Sequence, residues 1–481
     1  MSELVIFSLL VTGYFVVANT IYLVQMLVAW RAVRRRLRTI ALEDFRDIRE
    51  SGLAPPISIV VPAYNEGKTI LESVRSLLAL RYPRLELVVV NDGSDDDTLE
   101  LLIAEFGLRL TPRVYWQRIR SKPVRGIYWS PAYPALWVLD KVNGRKADAV
   151  NAGINLASTP YVCVVDGDSV LEGDAMAAIM NAVLPHATET VAAGGTVRIA
   201  NGCEIRRDTG VLSVGLPRTW LGTTQVVEYL RAFLFGRMAW SELGSLMIVS
   251  GAFGVFRKDV LVEIGGFRHD TVGEDMDLVV RMHRHLRAAR RSYRVAFVPD
   301  PVCWTECPET LDGLRHQRER WQRGLGETLD HNHEMLANRR FGRIGLWAMP
   351  YLMAFEYLAP LLEVAGFVIL PVGWALGLLD HSHFLLFVGA ALVYGLCLSL
   401  ATLLLEELSF RRYREPRHLC RLAAAAVLEN LGLRQLNSWW RLVALLTWRG
   451  RPQTWKSTPR QGFDGVAARA PAPQLGTITS G

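Results

Sequence analysis

Residues 4–30 carry no charged side chain. As a helix rising 1.5 Å per residue, such a run exceeds the roughly 30 Å hydrocarbon core of a bilayer. Glu3 is the only charge before it, whereas Arg31, Arg34, Arg35, Arg36 and Arg38 follow. Arginine-rich flanks of membrane helices face the cytoplasm, so residues 1–30 read as an anchor with the N-terminus outside. A secretory leader would want a basic front and a small-residue cleavage site, and the run has neither. Whatever follows Arg31 must fold against a membrane surface.

Residues 358–405 repeat this character as two apolar spans, 358–379 and 384–405, joined by a polar turn at 380–383. Arg411, Arg412, Arg414, Arg417 and Arg421 follow, which returns the chain to the cytoplasm. Glu363 inside the first span should face protein or water rather than lipid. Residues 341–357, aromatic and broken by Pro350 and Glu356, read as an interfacial helix. Residues 406–464 are apolar but interrupted by Glu429, Asn430, Arg434 and Arg441, and read as cytoplasmic or interfacial amphipathic helices. Residues 465–481 read as a disordered tail. The expectation is a multi-pass protein of the inner (cell) membrane.

The chain is nevertheless 21% charged and only 50% hydrophobic, too charged for a membrane bundle throughout. Its net charge of +7 lies largely in arginines beside the apolar runs, so membrane lipids account for it and no nucleic-acid partner is expected. Cys303 and Cys307 lack the second pair a zinc site needs, and the thiols read as reduced and structural.

Residues 31–54 read as a charged linker helix, broken by Pro55 and Pro56, and a globular domain is expected over 55–340. Its opening alternates buried strands (57–61, 85–90) with helices (67–80, 98–106), and 161–165 is a third strand. That alternation predicts an α/β domain with a parallel, doubly wound sheet and ligands at the carboxyl ends of its strands. Residues 107–144, rich in Arg, Tyr, Trp and Pro, break the rhythm and read as an insertion or long loop.

The candidate chemistry sits at strand ends. Asp166 and Asp168, flanking Gly167, can hold a hard divalent cation that also binds substrate phosphate; the alternative is a solvated turn capping the next helix. Asp92 can accept hydrogen bonds from a base or ribose, with Tyr64 and Glu66 flanking the same base, or it closes a capping turn. Lys146 can meet diphosphate oxygens, or stand as an exposed loop lysine. Glu274 and Asp275 can supply a general base, or favourable charge at a helix start. Gln317, Arg320 and Trp321 combine an amide, a guanidinium fork suited to diphosphate and an indole face suited to a sugar ring, or form an amphipathic helix end.

Taken in this order, the residues resemble the membrane-integrated, processive family 2 glycosyltransferases: cellulose, hyaluronan and poly-N-acetylglucosamine synthases. The resemblance runs from about residue 55 to 326. It implies a GT-A (Rossmann-like) cytoplasmic catalytic domain and a UDP-sugar donor. Asp92 would contact uridine, Asp166 and Asp168 would bind UDP and Mg²⁺ or Mn²⁺, and Asp275 after Glu274 would be the base. Gln317, Arg320 and Trp321 would bind diphosphate and acceptor sugar. Ser250, Gly251 and Ala252 resemble the acceptor floor, and Lys146 a nucleotide-contacting lysine. Gly273 stands where cellulose synthases carry Thr before Glu-Asp, so cellulose is not favoured. The implied enzyme is an inverting hexosyl- or N-acetylhexosaminyltransferase that elongates a β-linked glycan for export, with an accessory export subunit as a further partner. The alternative is non-processive transfer to a membrane lipid. A third reading, an idle nucleotide-binding subunit, has against it that every acidic position is filled.

Overall fold

The computed structural model describes residues 3–40, 54–206 and 210–450. The second half of the expected linker helix, 41–53, and the tail 465–481 lie outside the described residues.

Helix α1 (Glu3–Ile40) precedes the domain. The chain then runs β1 (Ile57–Ala63), α2 (Ile70–Leu78), β2 (Leu85–Asn91), α3 (Thr98–Phe106), β3 (Arg109–Leu110), β4 (Val124–Trp129), β5 (Leu136–Lys141), α4 (Arg145–Leu156) and β6 (Tyr161–Val165). After β7 (Val170–Leu171) and α5 (Ala175–Val183) come β8 (Thr190–Ile199), the hairpin β9 (Glu204–Arg206) and β10 (Gly210–Ser213), α6 (Trp220–Leu230) and β11 (Phe253–Arg257). The domain closes with α7 (Glu274–Ala288), β12 (Arg294–Thr305) and α8 (Leu311–His331).

Ten of these strands form one sheet, ordered β3-β4-β5-β2-β1-β6-β11-β8-β12-β7. Strands β6 and β8 are buried along their whole length, which is why β6 reads as a near-continuous apolar run rather than an alternating one. The α/β expectation is met, but the sheet is mixed rather than parallel. Only β5-β2-β1-β6 form a continuous parallel core, while β11 enters antiparallel to both β6 and β8. The segment expected to be a loop, 107–144, instead supplies β3, β4 and β5. The apolar run Leu136-Trp137-Val138-Leu139 between Pro134 and Asp140 was the strand signal there, masked by surrounding Arg and Trp.

Register decides where the loops meet. Ala63 pairs with Asn91 and Asn91 with Asp140, so β1, β2 and β5 end level with one another. Val165, the last residue of β6, faces Phe253, the first of β11. The segment entering β11 therefore lies at the edge where β6 delivers Asp166.

Among the described residues, three helical runs are long and apolar enough to cross a membrane: Glu3–Thr39, Ile344–Ala375 and His381–Ser409. The stretch read as interfacial, 341–357, runs on into the second of these through two π-helical turns, Ile344–Ala348 and Leu352–Tyr357. Phe15 packs edge-on to Phe367 and Phe387 at 5.7 and 5.8 Å, and Asn19 donates to the Ala390 carbonyl at 2.8 Å. Glu363 is buried against Arg434 and Ser438, facing protein as its charge requires. Helices α9 (Pro416–Leu428) and α10 (Arg434–Thr447) follow the third run. Their polar interruptions find partners within the protein: Glu429 with Arg231, Arg434 with Glu363, and Arg441 with Gln322. Bidentate pairs Arg36–Asp300 (both 2.9 Å) and Arg198–Glu406 (3.0 and 2.8 Å) tie the domain to the apolar helices.

Candidate active site

The loops after β1 and β2 are stitched together. The Asn65 amide donates to Ser94 Oγ at 3.0 Å, the Asp95 amide to Asn65 Oδ1 at 2.8 Å, and the Tyr64 hydroxyl to Asp95 Oδ2 at 3.0 Å. Asn65 takes a φ of +56°, in the left-handed region that Asn tolerates better than most residues. Beneath them Asp92, only 2% exposed, accepts from Lys141 Nζ at 2.6 Å and from the Gly144 amide at 3.0 Å. Burial pushes the Asp92 carboxyl above its ordinary range, and Lys141 opposes that shift. Tyr64 is exposed at the mouth of these loops. Glu66 reaches the next station: its Cγ lies 3.9 Å from where a Cβ on Gly167 would stand.

At the ends of β6 and α4 the acidic stations converge. Lys146 Nζ sits 2.5 Å from Asp166 Oδ1 and 3.5 Å from Glu274 Oε1. Burial alone would lower the Lys146 ammonium, but Asp166, Glu274 and Asp275 outweigh it and hold it above the ordinary lysine range. Burial pushes the Glu274 carboxyl up; Lys146 opposes this and Asp275 reinforces it. Asp275 is the less buried of the two. Its Oδ2 accepts from the Gly251 amide at 3.3 Å, and its Oδ1 from the Met276 amide at 2.8 Å. A Cβ on Gly251 would stand 3.1 Å from Lys146 Nζ, so glycine lets the floor Ser250-Gly251-Ala252 approach both Lys146 and Asp275. The structure thus gathers Lys146, Asp166, Glu274, Asp275 and Gly251 into one group.

Helix α8 joins through its backbone. Gly324 lies against Gly273, with no room for a side chain on either, and Glu327 accepts from the Val272 amide at 2.8 Å. Gly273, a departure from cellulose synthases, is thus the residue that admits α8. Trp321 is 43% exposed, with the Arg318 guanidinium 4.5 Å over its ring. Gln317 Oε1 is buried without a hydrogen-bond partner among the described residues. Arg320 adds a smaller field opposing the rise of the Glu274 carboxyl. Among the described residues, neither Gln317 nor Trp321 bonds the carboxylates; they are brought near by helix packing.

Lys141 and Asp148 were not singled out from the sequence. Lys141 is fully buried between Asp92 and Asp148, 2.6 Å from each. Its only local signal was a lysine directly after the apolar run 136–139. Arg237 was also missed: burial brings its guanidinium down to about 10, against the opposing field of Asp275.

Asp166 and Asp168 suit a hard cation by donor type, both being carboxylates at one strand end. Among the described residues no group of three or more His, Cys, Asp or Glu forms a cage. An ion here would take its remaining oxygens from substrate phosphate and water, as Mg²⁺ commonly does.

Residues 128–324 match the family described as "Glycosyltransferase like family 2", and residues 58–119 match "Glycosyl transferase family 2". The poly-beta-1,6-N-acetyl-D-glucosamine synthase of Staphylococcus aureus (strain COL) is 29% identical over 311 residues, 64% of this chain. That of Staphylococcus epidermidis is 28% identical over 304 residues, 63% of this chain. The chain spans 62% and 61% of the length of these relatives. Among solved structures, a mannosyltransferase from Pyrobaculum calidifontis in complex with GDP-Man and Mn²⁺ superposes with a TM-score of 0.50 at 21% identity, covering 90% of this chain and 99% of that one. That likeness establishes a GT-A fold.

Proposed function

We propose that this chain, which carries glycosyltransferase family 2 domains, transfers a sugar from a UDP-sugar donor with inversion and elongates a β-linked polysaccharide at the inner membrane. The observation that carries the reading is the Lys146 ammonium set between Asp166 and Glu274 with Asp275 alongside, one cation among the residues expected to hold donor and base.

In this mechanism Asp92 and Tyr64 hold the uracil, and Lys146 and Arg320 take the negative charge of the diphosphate. Mg²⁺ or Mn²⁺ held by Asp166 and Asp168 would supply Lewis-acid stabilisation of the leaving diphosphate. Asp275, buttressed by the Gly251 amide, accepts the proton of the acceptor hydroxyl as that oxygen attacks the anomeric carbon from the face opposite the diphosphate. Gln317 and the exposed face of Trp321 hold the acceptor ring above the Ser250-Gly251-Ala252 floor. The relatives' name makes N-acetylglucosamine the first donor sugar to test.

Beside Trp321 on the same helix, Gln322 meets the second apolar run, its Nε2 donating to the Tyr357 carbonyl at 2.9 Å. A growing chain held at Trp321 therefore stands at the membrane, which supports processive elongation with export. The arginines after residue 30 support a cytoplasmic catalytic domain and an outward N-terminus.

The test is full-length protein in membranes, given a panel of UDP-sugars, with UDP release and product mass followed. A polymeric product, lost in Asp275→Asn while UDP still binds, is the expected result. A single-sugar lipid product rejects elongation, and undiminished transfer by Asp275→Asn removes the base assignment.

A further inference from the structure

Lys141 ends β5 with its side chain wholly buried. Its ammonium meets three acceptors, Asp92 Oδ1, Asp148 Oδ1 and the Val142 carbonyl, each at 2.6 Å. Three N–H donors against three acceptors leave it nothing to offer a ligand. Lys141 therefore acts on substrate only through Asp92.

The charges in this pocket are two carboxylates and one ammonium. The neighbours are mostly neutral: the Gly144 amide on Asp92 (3.0 Å) and the Lys122 amide on Asp148 (3.1 Å). His269 Nδ1 lies 3.5 Å from Asp148 Oδ2, and the exposed Tyr64 hydroxyl is engaged by Asp95. Without the ammonium, two carboxylates share a buried pocket, and like charges there do not both stay ionised. A protonated Asp92 turns from acceptor into donor. That reversal matters to a nucleobase, because uracil presents N3–H as a donor where cytosine presents a bare N3 acceptor.

We propose that Lys141 is a positioning residue that keeps Asp92 an ionised acceptor and so sets the preference for a uracil over a cytosine nucleotide. The inference rests on the reading of Asp92 as the base contact. It adds that selectivity depends on a residue no ligand touches.

The test measures binding of UDP and CDP to the full-length protein in detergent. In Lys141→Met, UDP binding weakens by about tenfold or more and the UDP-to-CDP preference collapses towards one. In Lys141→Met/Asp148→Asn the pocket again holds a single negative charge, on Asp92, and the preference returns. A merely structural lysine predicts otherwise: both nucleotides weaken together, the ratio holds, and the second substitution restores nothing. That pattern overturns the proposal, as does failure of both variants to fold. Asp92→Asn tests the underlying reading separately. If it leaves the UDP-to-CDP ratio unmoved, the base contact itself is wrong, whatever Lys141 variants do.

Discussion

Gly273 and Gly324 meet backbone to backbone: a Cβ on either would stand 2.8 Å from the Cα of the other. This contact, together with the Val272 amide's bond to Glu327, sets α8 beside the start of α7. The atoms in the way are main chain and cannot swing aside. Gly324→Ala should therefore push α8 off α7, at a cost of about 1–3 kcal/mol for an overpacked site. Thermal melts and transfer rates together check this. If Gln317 and Trp321 on α8 hold the acceptor, sugar transfer should fall further than UDP binding, because the nucleotide loops after β1 and β2 lie away from this contact.

Trp321 invites the opposite experiment. It is 43% exposed and its packing partner is the Arg318 guanidinium, so Trp321→Ala should lower the melting temperature only modestly. If it holds the acceptor, transfer drops by about 10²-fold through lost orientation while UDP affinity stays within about twofold. Equal losses in both would assign Trp321 to the donor side instead.

Glu274 makes stability depend on pH in a predictable direction. Its folded-state carboxyl lies above the usual carboxylate range, through burial first, with Lys146 opposing and Asp275 reinforcing. Between the ordinary glutamate value and that raised value the folded state binds more protons than the unfolded one. Its contribution is thus fully present below the unfolded value and is lost as pH rises through the folded one. Glu274→Gln should flatten this part of a melting-temperature profile taken from mildly acidic to neutral pH. A slope unchanged by the substitution would assign it to other groups.

The buried pair Arg198–Glu406 couples the sheet to the third apolar run. Removing one partner strands a buried charge, so Arg198→Met should cost about 3–5 kcal/mol. The double variant Arg198→Met/Glu406→Leu should recover much of that loss, since an apolar pair of similar volume replaces an ion pair at little net cost. Denaturation in detergent of the two single variants and the double variant completes the cycle.

Much of the site was legible before any coordinates. Asp166 follows a Val run directly and Asp92 follows another with one residue between, and strands that end in carboxylates announce themselves within a few residues. Lys141 was not legible, because its meaning depends on β5 lying beside β2, and the strand was concealed in a stretch of Arg, Trp and Pro. The expected all-parallel sheet failed at β11 for a related reason. Local periodicity reports that a strand exists, but not the direction in which a distant partner receives it.

What the sequence determined by itself was therefore local: which stretches leave water, which segments are strands, and which acidic residues stand at their ends. Those follow from hydrophobicity and backbone preference, which act over a few residues. Only the tertiary structure decided that Lys146 bridges Asp166 and Glu274, that Asp275 turns towards Gly251, and that Gly273 admits α8. Each joins residues far apart in the chain. Their pairing is set by strand register and by the space a missing side chain leaves, and neither is written in a local window of residues.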